Sequence, residues 1–344
     1  MFLEFFGLRE QPFGVSPDPR FLYLGSGHLE ALASLYYGIE ANRGFLALVA
    51  RPGMGKTTLL FHLLQKFSPT ARTAFIFQTQ CNSREFMRFL LAEIGIENDV
   101  QDLVRMHEQF NRCLVQEARA GKRFIVVVDE AQNMDASVLE TVRLLSDFET
   151  PQAKLLQIIL AGQPTLADKL ASPALTQLRQ RITSLSGLSP FSPQETAGFI
   201  GHRLQVAGYK GQALFSPEAL DLIAEASEGI PRQINNYCFH ALTLARSMRK
   251  RTIDGGVVRQ VINDLDISRF MTDGEPTSTL SQLRSQMSLS PDPDLQVPES
   301  HHEGKDIYRP VLASHKRGED RLSPAEAQQH MQDVSRLLRT WRSG

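Results

Sequence analysis

The chain is poor in cysteine: three in 344 residues, Cys81, Cys113 and Cys238, all widely spaced. No CxxC pair and no Cys/His cluster is present, so neither a zinc site nor a disulfide framework organises the fold, and a reducing compartment is expected. An excess of either charge is also missing. The 37 Lys and Arg balance 38 Asp and Glu, a formal net charge of −1, which excludes a polybasic protein whose partner is legible from charge alone. Long apolar runs are absent: the longest clean one, residues 45–50, is six residues against about 18 needed to cross a bilayer. The opening MFLEFFGLRE has an acid and no basic n-region, unlike a secretory signal. The expectation is a cytoplasmic protein with no transmembrane segment.

The 42% of apolar residues and 22% of charged ones suit a globular chain, and the length allows two domains and a tail. Residues 1–44 read as a lead-in packed on the core of the domain that follows. Phe5, Phe6, Phe13, Phe21 and Tyr23 are interleaved with Pro12, Pro17 and Pro19, and helical spacing begins at His28. Residues 45–190 alternate helical stretches with the apolar runs 45–50, 73–79, 124–129 and 155–162. Near-continuous apolar runs between helices predict a parallel sheet buried on both faces. Residues 191–268 contain no strand run. Ser192 and Ser216 each precede a proline and an acid, a helix-start signature, and helices are predicted near 193–207, 217–228, 231–250 and 255–265. Residues 269–344 read as a flexible tail. The stretch 273–306 is too polar to bury much surface, and a helix is expected at 324–341, where Ser323 and Glu326 form a capping-box pattern.

The chemistry concentrates in five places. The first is Arg51, Pro52, Gly53, Met54, Gly55, Lys56, Thr57 and Thr58, after a strand run and at the opening of a helix. Glycines let backbone N–H groups converge on phosphate oxygens at a helix N-terminus. Lys56 would reach the β- and γ-phosphates of ATP, and the Thr57 hydroxyl would ligate Mg²⁺. Ala50 occupies the slot where the usual pattern has its first glycine, which alanine tolerates at negative φ. The second is Asp129–Glu130 at the end of a buried run. Asp129 would hold the metal shell and Glu130 orient the attacking water; capping of the next helix is the bland alternative.

The third is Gln163, placed after the next apolar run, where it would contact the γ-phosphate or the water; a turn residue before Pro164 is its alternative. In the fourth, LRQRI at 178–182, Arg181 is preferred to Arg179 as a cation reaching a neighbouring subunit's nucleotide, against a solvated helix face. The fifth is Gly229-Ile230-Pro231-Arg232. Pro231 suits a first helical turn, so Arg232 would lie where its charge opposes the dipole, and a phosphate would supply its missing partner.

In that order these motifs resemble an AAA+ ATPase. The opening FFGLREQPFGVSPDPRFLYLGSGHLEALASLYYGIEANRGF, DEAQN at 129–133, GQPTLADKL at 162–170 and the RL-x-x-AG phrase at 203–208 are similar to the general-secretion-pathway A (GspA/ExeA-type) family over roughly residues 1–268. The resemblance implies an α/β P-loop NTPase fold with a parallel central sheet and an all-helical lid. It also implies Mg²⁺-dependent ATP hydrolysis and a homo-oligomer with shared sites. Gln163 takes the sensor 1 position, Arg232 the sensor 2 position and Arg181 that of a candidate finger. A protein partner in a secretion or export machinery is implied, with peripheral placement at the inner membrane through it. Full-length secretion members continue into a membrane helix and a peptidoglycan-binding domain, which 269–344 does not resemble. Transposition regulators of the Mu B and TniB type share the core architecture, so an ATP-switched DNA-binding regulator stands as the alternative, beside a slowly hydrolysing scaffold. The balanced charge disfavours DNA, although Arg246, Arg249, Lys250 and Arg251 form a local basic cluster.

Overall fold

A computed structural model describes residues 2–77, 79–96, 102–148 and 154–265. The stretch 273–306 and the helix expected at 324–341 lie outside the described residues. In chain order the elements are α1 (Phe2–Phe6), α2 (Ser26–Glu40), β1 (Phe45–Val49), α3 (Lys56–Phe67), β2 (Ala71–Ile76), α4 (Ser83–Glu93), α5 (Leu103–Arg119) and β3 (Arg123–Val128). There follow α6 (Ala136–Leu145), β4 (Leu156–Gly162), α7 (Pro164–Ala171), α8 (Thr176–Arg181), β5 (Ile182–Gly187), α9 (Pro193–Val206), α10 (Pro217–Ser227), α11 (Pro231–Ser247) and α12 (Gly255–Leu265).

The five strands form one parallel sheet in the order β2-β3-β4-β1-β5. Successive side chains of a strand point to opposite faces, and here both faces are covered. Phe124, Val126 and Val128 of β3 pack with Leu156, Ile158 and Leu160 of β4 under α4, α5 and α6. Ile125, Val127, Ile159 and Ala161 face α2 and α3 on the other side. Both periods are apolar, so the run reads as continuous, and each fully buried valine or isoleucine contributes about 1.5–3 kcal/mol.

The sheet topology locates the site. From β1 the chain leaves for the far edge at β2, whereas from β4 it crosses over β1 to reach β5. The connections diverge between β1 and β4, the switch point at whose carboxyl edge ligands bind in open parallel sheets. The segments following β1, β3 and β4 all open onto that edge.

The helices α9 to α12 form a separate bundle with its own core. Ser192 caps α9, and its side chain accepts from Glu195 N while Glu195 returns a bond to Ser192 N. Ser216 caps α10. Both are the helix starts expected from the sequence. The lead-in is split between the two bodies. On the sheet side lies α2, tied by Ser34 to Ser184 (2.7 Å) and by Glu40 to Arg123 (2.9 Å), with Leu22 and Leu24 packed beside it. Phe2, Phe6, Leu8, Phe13 and Phe21 enter the bundle core instead. The physical reason is room: α2 and α3 already cover that face of the sheet, and the bundle offers an apolar seat. Arg203 of α9 fixes the strap. Its buried guanidinium lies over the Phe21 and Phe199 rings and donates to the carbonyls of Pro12 (2.5 Å) and Gly14 (3.4 Å). Burial without a direct carboxylate partner lowers its pKa to about 10.

One feature differs from the sequence reading, and a second, the basic cluster at the end of α11, agrees with a charged helix end. β5 is a fifth strand, with alternating burial and starting at the residue after α8; its Ile-Thr-Ser-Leu-Ser-Gly run lacks a continuous apolar signal. The basic cluster at 246–251 is partly consumed by the fold. Lys250 pairs with Asp254 (2.7 Å), and Arg251 lies over the Phe5 ring and donates to the Phe5 carbonyl. Among the described residues no helix is long and apolar enough to cross a membrane.

Candidate functional site

A cleft of about 300 Å³ opens between the carboxyl edge of the sheet and the bundle. Its floor is the loop between β1 and α3. Ala50 keeps a negative φ and donates its N–H to Gly162 O (3.1 Å), which anchors the loop to β4. Gly53 has φ +82°, and a Cβ there would stand 2.8 Å from Arg232 Cβ. A side chain is excluded at this position both by conformation and by the approach of the bundle.

Lys56 is 6% exposed and forms no salt bridge among the described residues; its ammonium donates to its own loop at Ala50 O (3.1 Å). Burial pushes its pKa down, and the carboxylates of Glu130 and Asp129 pull it back up. A buried cation answered by only one carbonyl is suited to a polyphosphate, which would supply the missing countercharge. Thr57 Oγ1 donates to Asp129 Oδ2 at 2.6 Å, and Glu130 N donates to Asp129 Oδ1 at 2.9 Å. Burial raises the Asp129 pKa against both bonds.

Among the described residues no three His, Cys, Asp or Glu side chains stand together as a metal cage. Thr57 and Asp129 present two hard oxygens instead. Such a set fits Mg²⁺, a cation that keeps waters and phosphate oxygens in most of its positions.

Glu130 follows β3 in the left-handed region, φ +53°. Its Oε2 accepts from Gln132 Nε2 (2.5 Å) and from Gln163 Nε2 (3.1 Å). Burial raises its pKa, but these bonds and the charges of Lys56 and Arg232 outweigh burial, and the net shift is downward. The carboxyl is therefore ionised at neutral pH and lines the cleft together with Gln163.

Arg232 is also brought to the cleft. It lies in the first turn of α11 behind Pro231, and its N–H donates to Gly53 O at 3.1 Å. Just before this turn Gly229 lies against the Phe191 backbone, where a Cβ would meet Phe191 O at 2.1 Å. Pro52, Gly53, Met54, Gly55 and Thr58 line the cleft as well. Asp129 is reached through Thr57.

Two candidates stand elsewhere. Arg51 pairs with Glu228 (3.6 Å) and does not line the cleft. Arg181 precedes β5, so it stands at the amino end of its strand, opposite the edge that carries Lys56, Glu130 and Gln163. There it binds Ser146 Oγ (2.6 Å) and pairs with Asp147, while Arg179 donates to Ala171 O (3.2 Å).

Several participants escaped the sequence reading. His28 of α2 is buried, and its Nε2 bonds Met54 O at 2.9 Å, propping the loop from below. Burial lowers its pKa. Strap residues 14–17 and 21–23 line the cleft, and so does Asn235, three positions beyond Arg232; the buried Asn235 Oδ1 has no hydrogen-bond partner among the described residues. Gln132 and Lys169 arrange the segment after β3. The sequence signal for these residues was membership of the opening phrase, of DEAQN, of GQPTLADKL and of the stretch after Gly229, which names no contact.

Residues 39–170 match the AAA domain family. The chain is 41% identical to the general secretion pathway protein A of Aeromonas hydrophila over 71% of its own length and 45% of that protein's. It is 26% identical to an uncharacterized HTH-type transcriptional regulator of Methanocaldococcus jannaschii over 70% of this chain and 66% of the regulator. The chain thus spans about half the length of the first relative and just under two thirds of the second. In fold it is similar to the ORC2 protein of Aeropyrum pernix in its ADPNP–ADP complexes, with a TM-score of 0.60 and 17% identity over 74% of this chain and 71% of that one. It is likewise similar to Cdc6p of Pyrobaculum aerophilum, with a TM-score of 0.59 and 18% identity over 77% and 74%. The fold is that of an AAA-type P-loop ATPase, a parallel sheet followed by a helical lid.

Proposed function

We propose that this protein binds ATP with Mg²⁺ in the cleft between sheet and lid, hydrolyses it, and uses the cycle to move the lid. The observation that carries the reading is the convergence at one cleft of the buried Lys56 ammonium, the Thr57–Asp129 pair and the ionised Glu130. Lys56 and the N–H groups of the loop hold the β- and γ-phosphates. Thr57 and Asp129 would hold Mg²⁺, which when bound would supply positive charge against the phosphate oxygens. Glu130 orients the attacking water, and Gln163 and Arg232 face the γ-phosphate from the strand and the lid. Because Arg232 N is bonded to Gly53 O, any change in the loop on phosphate release is passed directly to α11.

Arg181 points away from its own cleft, so its contribution is to the site of a second copy in a homo-oligomer. The similarity to the secretion protein of Aeromonas hydrophila supports a partner in a secretion or envelope-export machinery, with the protein reaching the inner membrane through that partner. The alternative of a DNA-bound regulator is disfavoured by the balanced charge and by the use of Lys250 and Arg251 in packing.

The decisive test is Glu130→Gln, which keeps shape and removes the charge. ATP affinity should be retained while turnover falls roughly a hundredfold, the scale of a lost general base. Wild-type phosphate release by this variant would sink the hydrolytic assignment.

A further inference from the structure

Glu130 is held by an amide whose two ends are both engaged. Gln132 lies two residues on, in the short 3₁₀ turn Ala131–Asn133. Its Oε1 accepts the backbone N–H of Gln163 at 3.0 Å, and its Nε2 donates to Glu130 Oε2 at 2.5 Å. A backbone N–H can only donate, so it fixes which end of the amide is which. Gln163 closes the ring by donating its own Nε2 to the same Glu130 oxygen at 3.1 Å. Oε1 of Glu130 takes no hydrogen bond among the described residues.

Two further features serve this bracket. Lys169 of α7 donates to the carbonyls of Gln132 (2.5 Å) and Met134 (2.7 Å), which pins the turn. Gly162, the last residue of β4, leaves the space the amide needs: a Cβ there would stand 2.6 Å from Gln132 Oε1.

We propose that Gln132 is a positioning residue for the hydrolytic step, tying the Glu130 carboxylate to the end of β4 so that the carboxylate is aimed only when Gln163 is in place. The proposal rests on the hydrolytic reading above. One carboxylate oxygen is committed to two amides, and the other is left for water. A displacement of Gln163 by the γ-phosphate is transmitted through the Gln163 N–H to Gln132, and from Gln132 Nε2 to Glu130. The bracket is neutral, so it orients the carboxylate without adding charge against the phosphates. It also favours the ionised form, because both amides donate to it.

The experiment measures steady-state phosphate release and nucleotide titration for Gln132→Ala, Glu130→Gln and the double variant, with thermal unfolding as the check on folding. Gln132→Ala should lower turnover roughly tenfold or more and leave ATP affinity and the unfolding temperature unchanged. Adding Gln132→Ala to Glu130→Gln should cost nothing further. A structural role would predict a fall in affinity and unfolding temperature together with a further loss in the double variant, and that result overturns the proposal. Wild-type turnover in Gln132→Ala with an inactive Glu130→Gln overturns the proposal alone. Full turnover in Glu130→Gln overturns the hydrolytic reading and the proposal together.

Discussion

The N–H of Arg232, in the first turn of the lid helix α11, donates to the carbonyl of Gly53 in the phosphate loop across 3.1 Å. One bond therefore joins the lid to the loop that would feel the nucleotide. It depends on Gly53, whose φ of +82° and proximity to Arg232 Cβ leave no place for a side chain. Gly53→Ala should cost about 1–2 kcal/mol in the left-handed conformation alone, enough to weaken nucleotide binding roughly 5- to 30-fold. Titration with a fluorescent ATP analogue checks this. Unaltered affinity would mean that the loop tolerates a different path and that the Arg232–Gly53 bond is dispensable.

Lys56 carries a buried ammonium in the cleft, and among the described residues its hydrogen bond goes to Ala50 O. Charged hydrogen bonds to phosphate are worth about 1.5–3 kcal/mol, so Lys56→Ala should weaken ATP binding by roughly ten- to a hundredfold. The same variant relieves the cost of burying an unpaired charge, so its unfolding temperature without nucleotide should not fall. Isothermal titration and thermal unfolding, run on the same preparation, separate the two effects. A variant with wild-type affinity would remove Lys56 from the phosphate site.

Much of this was legible in the sequence, and the limits are physical. Strands β1 to β4 declare themselves because both faces are buried, and Lys56, Thr57, Asp129 and Glu130 because their chemistry needs fixed spacing along the chain. β5 did not, since an edge strand with Thr183 and Leu185 exposed reads like a loop. His28 and Gln132 were not legible as site residues either. Each acts through a contact to a residue whose own position is set by another element: Met54 for His28, and Gln163 for Gln132. Local pattern carries no information about such contacts. The aromatics of the lead-in were recognised as anchors, but their host, the lid core, is chosen by tertiary packing.

Acid should loosen the loop through His28. Burial holds His28, His62, His107, His202 and His240 below the ordinary histidine pKa. In each the folded state binds fewer protons than the unfolded state, so this stability is present above the unfolded value of about 6.5 and is lost as pH falls below it. His28→Gln removes one of the five titrations. The fall in unfolding temperature from about pH 7.5 to about pH 5.5 should be shallower in the variant than in the wild type. Parallel curves would show that His28 is not among the groups that set the acid limb.

Arg181 offers the sharpest test of a shared site. Within one chain it is paired with Asp147 and bonded to Ser146, and it sits at the amino end of β5 while the cleft lies at the carboxyl edge. Any role at a γ-phosphate must therefore be played on another copy. A cation supplied in that way is worth roughly 10³–10⁵ in rate where it works fully, so Arg181→Ala should depress hydrolysis strongly without weakening ATP binding. Turnover per subunit in the wild type should rise with protein concentration, because dilution separates each cleft from its cation. Mixing Arg181→Ala with Glu130→Gln should recover part of the lost activity, since one kind of interface then pairs an intact Glu130 with an intact Arg181. Asp147→Asn frees the guanidinium without removing it, and should lower the concentration at which turnover becomes maximal. Co-assembled mixtures that stay inactive, together with a concentration-independent wild type, would reduce Arg181 to a structural ion pair at the start of β5.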